Sequence, residues 1–325
     1  MHQEIRGFFA RAVVAVAAII AFGISAPNTA LAQDDTNDSE ESFSERSSTR
    51  DTAETANVFK SDLDLKWRIQ PLAIELSTRM YNEHQYWRSN KSMLFSEVFV
   101  RAGAVVNLTP AYAEGGIDFE FQPIRIFKLR AQYLAGYDFG TFKYVIPYDN
   151  PDPITRDREL KADKDRARSG VHQRVIIQPT LQFAVGNIAL VNTFTYQYFN
   201  YRGRDYEGPW LRTSAEDRIV HTDGDSILQN MLLVAYKVWS GPNNGQMLIG
   251  PYHEWVRGVR AYRAEGLEQR HRVGLTAVVA PAKNWGKIYS PRLLVQAGYN
   301  VVDRDNGRAN RGFVQGSFGF SLHKP

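Results

Sequence analysis

The residues best suited to catalysis lie in the segment DRIVHTDGDS, residues 217–226. It brings together an imidazole (His221), two carboxylates (Asp223 and Asp225) and a hydroxyl (Ser226). Such groups could supply a nucleophile and its base, or oxygen ligands for a calcium ion. The spacing matches neither a nucleophile elbow nor a complete calcium loop. Because Asp, Gly and Ser are themselves turn residues, we interpret the segment as a polar turn before a strand.

The other histidines also have ordinary explanations. His253 and Glu254 adjoin Trp255, an arrangement typical of a strand that crosses an interfacial aromatic belt. His172 and His271 lie beside arginines at strand starts, which predicts positions at a rim. The sequence has no glycine-rich phosphate loop, zinc-ligand spacing or dinucleotide fingerprint. We therefore expect no catalytic residues, no metal site and no cofactor.

Alternating strands must position whatever chemistry the chain has. In RVIIQPTLQFAV, residues 174–185, one face is apolar and the other is polar. The apolar face holds Val175, Ile177, Pro179, Leu181, Phe183 and Val185, and the polar face holds Arg174, Gln178, Thr180 and Gln182. The same period of two recurs from Ser61 almost to the C-terminus. A soluble sandwich would turn the apolar faces to a core, whereas a membrane barrel would turn them to lipid.

The connections between strands favour the barrel. Gly186-Asn187 and the segments from Gly241 and Pro281 are tight turns. The segments near 140–170, 202–225, 260–268 and 303–311 are longer and polar. Short turns at one end and long loops at the other predict an all-β, antiparallel up-and-down transmembrane β-barrel. A secreted soluble β-sandwich is the alternative.

The number of strands depends on residues 63–81, LDLKWRIQPLAIELSTRMY. Ten strands follow from about Leu94 onward. Within residues 63–81 the apolar phase switches at Pro71, which indicates one bulged strand or two short ones. Since bacterial single-chain barrels use even strand numbers, we predict about twelve strands, with ten as the alternative.

The N-terminus predicts export. Arg6 and Arg11 precede an apolar run too short to span a bilayer, and Ala30-Leu31-Ala32 is a small-residue cleavage site. We expect a signal peptide over residues 1–32, a disordered acidic periplasmic tail over 33–60 and the barrel over 61–325. Residues 33–56 hold eight acidic and two basic side chains, and the remainder of the mature chain is basic. The absence of cysteine excludes disulfides and thiolate sites.

If the apolar faces point outward, charged side chains line the lumen. The predicted lumenal and selectivity residues are Glu97, Arg101, Asp118, Glu120, Lys128, Arg130, Arg174, Lys237, Arg272 and Arg292. The acids cluster on two early strands and the bases lie mostly elsewhere. In a wide barrel this separation creates a field across the pore that favours small polar or anionic solutes. In a narrow barrel the same groups pair and plug the lumen.

The chain from about Leu63 to Leu322 resembles the bacterial outer-membrane β-barrel class. The resemblance is carried by the signal peptide, the alternating strands, the aromatic residues at strand ends and the last strand, GFVQGSFGFSL. Phe318, Phe320 and Leu322 alternate as in the assembly signal of that class, although the chain runs on for three more residues. The resemblance implies a Gram-negative outer membrane, with its lipid and its assembly machinery as partners. No motif identifies a family within the class.

Export makes lipopolysaccharide phosphates the expected anionic neighbour of the basic body, and we expect no nucleic-acid partner. The predicted lipopolysaccharide-facing rim residues are Arg202, Arg204, Arg257 and Arg260.

Three functions are compatible with these features. The first is a porin-like channel that transports small hydrophilic solutes. The second is a non-conducting barrel that anchors a secretion or motility assembly, with residues 33–56 binding a periplasmic protein. An outer-membrane hydrolase has the weakest support, since the His and Ser pairs match no outer-membrane protease or phospholipase motif. We therefore expect no enzymatic activity.

Overall fold

A computed structural model describes residues 56–69, 73–87, 98–141, 145–147, 167–203, 210–212, 218–220, 224–240, 246–259, 269–281, 288–303 and 311–322. Within these ranges the regular secondary structure is β-strand, and no helix is long and apolar enough to cross a membrane.

Fifteen strands are present in these ranges. They are β1 (Ala56–Arg68), β2 (Ala73–Trp87), β3 (Val98–Leu108), β4 (Tyr112–Ile124), β5 (Phe127–Phe139), β6 (Val145–Pro147), β7 (Ser169–Val185), β8 (Ile188–Gly203), β9 (Trp210–Arg212), β10 (Arg218–Val220), β11 (Asp225–Ser240), β12 (Gln246–Gly258), β13 (Gln269–Ala280), β14 (Tyr289–Asp303) and β15 (Gly312–Ser321). Twelve long strands form one closed antiparallel barrel, and β6, β9 and β10 form a small separate sheet.

The barrel closes where β1 pairs with β15. In this seam Asp62 lies opposite Ser321, and Trp67 lies opposite Gly316. The prediction of twelve strands is therefore confirmed, and the phase switch around Pro71 falls in the hairpin connection between β1 and β2. β1 begins at Ala56, five residues before the predicted start of the barrel. The early start extends the alternation, because Phe59 faces outward and Lys60 faces inward.

The connections follow the predicted sorting by length only in part. The longer segments around 140–168, 204–224, 260–268 and 304–311 join strands at one end, here called the loop end. The connections at 186–187, 241–245 and 281–288 lie at the opposite end of the barrel, here called the turn end. The start of β1 and the end of β15 lie at the same end. Gly186 has a φ of 57°, as a two-residue hairpin turn requires. Four connections depart from the rule: 69–72 and 109–111 are short but lie at the loop end, 88–97 is long but lies at the turn end, and 281–288 at the turn end is as long as 304–311 at the loop end.

The outer face of the barrel is apolar. The large apolar side chains that are exposed lie on the outward phase of their strands, as Ile117, Val185, Leu275 and Tyr299 do. The predicted faces of β7 are confirmed, because Ile177, Leu181 and Phe183 point out and Arg174 and Thr180 are buried inside. An apolar belt around a polar interior is the arrangement of a transmembrane β-barrel.

The inner face is less uniformly polar than the alternation predicts. Toward the loop end it includes a buried cluster of Ala111, Tyr112, Val145, Phe199, Tyr201 and Trp210. Trp210 of β9 packs edge-on against Tyr201, with ring centroids 4.8 Å apart. Since Val145 belongs to β6, the small sheet formed within the two longest connections folds against the inner wall at the loop end.

Candidate functional site: the charged lumenal wall

The inner face carries nearly all the predicted lumenal residues. The residues that share the inward phase are Arg101, Asp118, Glu120, Lys128, Arg130, Arg174, Lys237, Arg272 and Arg292. Glu97 lies outside the described residues. The charged wall is defined here as eight side chains on β1 to β5: Lys60, Arg79, Glu83, Arg101, Asp118, Glu120, Lys128 and Arg130.

Arg101 stands at the centre of the charged wall. Its Nε donates to Glu83 Oε2 at 2.5 Å, and its Nη1 donates to Glu120 Oε1 at 2.7 Å. Glu83 also accepts a hydrogen bond of 2.8 Å from Lys60 Nζ. Antiparallel register explains these pairs, because Arg101 lies directly opposite Glu83 on β2 and Glu120 on β4.

Asp118 is shared by two arginines. Arg130 Nε donates to Asp118 Oδ1 at 2.6 Å, and Arg79 Nε donates to Oδ2. Arg79 also reaches Glu120 Oε2 through Nη1 at 3.2 Å. Each of the three carboxylates in the charged wall contacts two bases. The ion pairs are therefore joined into one network and are not isolated salt bridges.

The predicted separation of acids from bases is wrong. The two acids predicted on β4 lie between arginines of β2, β3 and β5, so their charges are neutralised within the wall. Lys60, Arg79 and Glu83 were not among the predicted lumenal residues. Continuing the alternation past Pro71 would have found Arg79 and Glu83, because both share the inward phase of β2 with Tyr81.

The bases cover the acids. Arg101 is 22% exposed against 1% for Glu83, and Arg130 is 28% exposed against 0% for Asp118. Arg79 is 12% exposed while Glu120 is 3% exposed. The carboxylates therefore lie against the barrel wall, and the accessible surface of this wall is made of guanidinium groups.

Aromatic rings fix the arginines further. The guanidinium carbon of Arg101 lies 3.9 Å from the ring centroid of Phe99 and 5.3 Å from that of Tyr81. Arg79 lies 4.7 Å from the Tyr81 centroid. Tyr81 in turn donates to Asp62 at 3.0 Å. Stacking and ion pairing together leave these side chains little rotational freedom.

A second charge group lies on β12 and β13. Glu254 accepts a hydrogen bond of 2.7 Å from Arg270 and lies 3.6 Å from Arg272 Nη1. Arg272 also donates to Asn300 at 2.8 Å. All of these side chains are buried, so this group adds little to the accessible charge of the lumen.

His172 does not lie at a rim, contrary to the prediction. It is fully buried on the inner face, with Nδ1 2.7 Å from Asp138 and Nε2 3.0 Å from Glu114. Glu114 also accepts hydrogen bonds from Arg174 and, at 2.8 Å, from Asn107. Phe199 stacks on the imidazole at a centroid distance of 5.6 Å, which places this polar site against the aromatic cluster of the loop end.

The outer face has polar exceptions to its apolar belt. Asn192 and Asn230 exchange two hydrogen bonds of 3.2 Å between β8 and β11. His253 and His271 face outward from neighbouring strands with their ring nitrogens 3.2 Å apart. Among the described residues, no group of three His, Cys, Asp or Glu side chains is placed to hold a metal ion.

Two of the four predicted rim arginines are described. Arg202 and Arg257 are exposed near the loop-end termini of β8 and β12, whereas Arg204 and Arg260 lie outside the described residues.

In the segment considered for catalysis, His221 and Asp223 also lie outside the described residues. Asp225 is buried and caps the backbone nitrogen of Ser226, as expected of a turn before a strand.

Solved structures with similar folds are bacterial outer-membrane barrels. The β domain of the Bordetella autotransporter BrkA gives a TM-score of 0.44 at 11% identity, covering 82% of this chain and 98% of that domain. The NanC porin gives 0.38 at 10% identity, with coverages of 81% and 100%. An outer-membrane channel from Pseudomonas putida F1 gives 0.37 at 9% identity, with coverages of 84% and 99%. No protein-family model matches the chain, and no curated protein matches it.

Proposed function

We propose that this protein is an outer-membrane channel for small hydrophilic solutes with a preference for anions. The observation that carries the proposal is the layering of the charged wall, in which guanidinium groups cover buried carboxylates. A solute in the lumen would meet the cationic layer first. A surface of this kind raises the local concentration of anions and lowers that of cations.

An uncharged wall on β8 and β11 supports the same proposal. On β8 and β11 the inward side chains from Val191 to Gln197 and from Ile227 to Ala235 carry no charge. They include Thr193, Thr195 and Gln229, which can hydrogen-bond to hydroxyl or carbonyl groups. No carboxylate of this wall competes with the solute for the arginines.

The test is conductance in a planar bilayer. Folded, heat-modifiable protein should give steady channels, and under a KCl gradient the reversal potential should move toward the chloride equilibrium potential. Arg130→Gln should weaken this anion preference, because it removes an accessible cation of the lumen. Arg257→Gln, on the outer face, is the matched control and should leave the reversal potential unchanged. A folded barrel without conductance would overturn the proposal.

A second candidate, a non-conducting barrel that anchors a surface assembly, is favoured by one observation. The small sheet of β6, β9 and β10 packs against the inner wall at the loop end through Trp210 and Val145. If this packing closed the mouth, the lumen would not conduct. In that function the acidic segment 33–56, of which only Ala56 lies within the described residues, would bind a periplasmic protein.

The membrane contacts of either function would be the same. Arg202 and Arg257 point outward near the loop end and would contact lipopolysaccharide phosphates. Substituting both by Gln should lower the thermal stability of the barrel in lipopolysaccharide-containing bilayers more than in detergent. An equal effect in both media would argue against this contact.

A further inference from the structure

We propose that the charged wall holds a binding site for an oxyanion, formed by Arg101, Lys128 and Arg130. This inference rests on the proposed function and names the class of solute that the lumen would take: small molecules that carry a carboxylate or a phosphate group. The proposed function requires only that the average charge of the lumen favours anions. This inference adds a specific binding site that can be saturated.

The site is built from donors that the network leaves unused. Arg130 donates a hydrogen bond only through Nε, to Asp118. Neither of its terminal nitrogens forms a hydrogen bond within the described residues. Arg101 forms hydrogen bonds through Nε and Nη1, and its Nη2 forms none within the described part of the chain. Lys128 interacts electrostatically with Glu120 but forms no ion pair of 4.0 Å or less with any residue that the structure describes. Four nitrogens that are strong donors are therefore available on neighbouring strands.

The geometry of the network brings these donors together. Glu120 binds Arg101 and Arg79, and Asp118 binds Arg79 and Arg130. Each shared carboxylate therefore holds Arg79 beside one arginine of the site. Arg101 and Arg130 themselves lie on the two strands that flank Glu120, each directly opposite it in the strand register. Arg79 Nη2 is buried without a hydrogen-bond partner, a costly arrangement that a ligand oxygen at this position would relieve.

The receptor is organised before the solute arrives. Glu83 and Glu120 fix two nitrogens of Arg101, and the Phe99 ring covers the face of its guanidinium. Binding would therefore order few side chains, and the entropy lost on association would be small. An unpaired arginine on a wide wet surface would lack this advantage.

Charge and shape together select an oxyanion. Counted over its eight side chains, the charged wall has five bases and three carboxylates and a net charge of +2, while the neighbouring lumenal Asp62 is bound to Tyr81 and Ser321. A guanidinium presents parallel N–H groups that match the two oxygens of a carboxylate or phosphate, whereas chloride offers a single spherical acceptor atom that cannot align with both N–H groups. A solute with two anionic charges would neutralise the site.

Calorimetry on the folded, full-length mature protein in detergent tests the site directly. Inorganic phosphate and the dicarboxylate glutarate are titrated separately in chloride buffer, which distinguishes the two kinds of oxyanion. Lys128→Gln and Arg130→Gln should each weaken binding of the preferred probe about tenfold, as expected when one charge-assisted contact is lost. Arg292→Gln is the control, because Arg292 is an accessible lumenal arginine on β14 that is bound to Asp64 and lies four strands away from Arg101 in the strand order.

The outcomes separate this inference from the proposed function. Binding that Lys128→Gln and Arg130→Gln weaken, and Arg292→Gln does not, supports the site. Equal binding in all variants, or no binding of either probe, overturns the site. In the latter case, steady anion-preferring conductance would leave the proposed channel intact. Site-dependent binding by a barrel that does not conduct would support the site and overturn the channel.

Discussion

The Nδ1 atom of His172 lies 2.7 Å from Oδ2 of Asp138 and joins β7 to β5 inside the barrel. The second ring nitrogen lies 3.0 Å from Glu114 on β4, so one imidazole ties together three strands. Gly136 lies opposite His172 in the strand register. A Cβ atom at this position would come to 2.6 Å from Nε2 of His172, so the glycine makes room for the ring.

Replacing His172 should destabilise the barrel. In His172→Leu, the carboxylates of Glu114 and Asp138 stay buried but lose their shared partner, and breaking a buried charged contact typically costs about 3–5 kcal/mol. We expect the free energy of unfolding in detergent, measured with urea, to fall by that order. His271→Leu, on the outer face, is the control and should change it by less than about 1 kcal/mol. Equal effects of the two substitutions would contradict this role for His172.

The pair of asparagines on the outer face should be energetically coupled. Asn192 and Asn230 satisfy each other where the surrounding surface is apolar. A double-mutant cycle with Asn192→Leu and Asn230→Leu should give a coupling free energy of about 0.6 kcal/mol, and at most about 1.7 kcal/mol, as for polar pairs in membranes. Unfolding into urea from lipid vesicles supplies the four free energies. If the effects of the two substitutions on the free energy of unfolding were strictly additive, the two amides would not stabilise each other.

The sequence predicted which side chains face the lumen because the period of two is a local property of a strand. Arg130 and Arg174 could be placed on the inner face from their immediate neighbours alone, as Ile177 and Leu181 could be placed outside. The same rule, applied strictly, would also have placed His172 inside, two residues from Arg174 on β7. His172 was assigned to a rim because it lies near the start of a strand, and its phase in the alternation was not taken into account.

The sequence did not predict which acid lies against which base. That pairing depends on the register between strands, which residues far apart in the chain decide. Arg292, for example, bonds to Asp64 at 3.1 Å across 228 residues, near the seam that closes the barrel. Val145 and Trp210 were likewise assigned to polar loops. Their burial follows from packing against the aromatic side chains of β8, which no local pattern reveals.

Trp210 should hold the small sheet against the inner wall. Its indole is fully buried against Tyr201 and close to Gly203, so Trp210→Ala removes about 3–5 kcal/mol of packing from this contact. We expect faster amide hydrogen exchange at Val145 and Ile146 of β6. In a conducting barrel we also expect larger or noisier single-channel currents. Trp239→Ala, an exposed tryptophan on the outer face, is the control. Unchanged exchange at β6 would show that the sheet is held by other contacts.

The cationic surface of the lumen can be tested without measuring current, because the chain has no cysteine. Gln178 faces inward on β7 directly opposite Arg130. A cysteine introduced by Gln178→Cys should react about tenfold faster with a negatively charged methanethiosulfonate than with a positively charged one, since guanidinium groups concentrate anions near it.

Ser240→Cys, exposed at the end of β11, is the control and should show little preference between the two reagents. Labelling is followed by mass spectrometry on folded protein at low and high salt, and the preference at position 178 should shrink as salt screens the wall. A preference for the positive reagent would mean that the carboxylates, and not the arginines, dominate the accessible surface. If neither reagent modified position 178 in the folded barrel, the lumen would be closed to small solutes and the non-conducting function would be favoured.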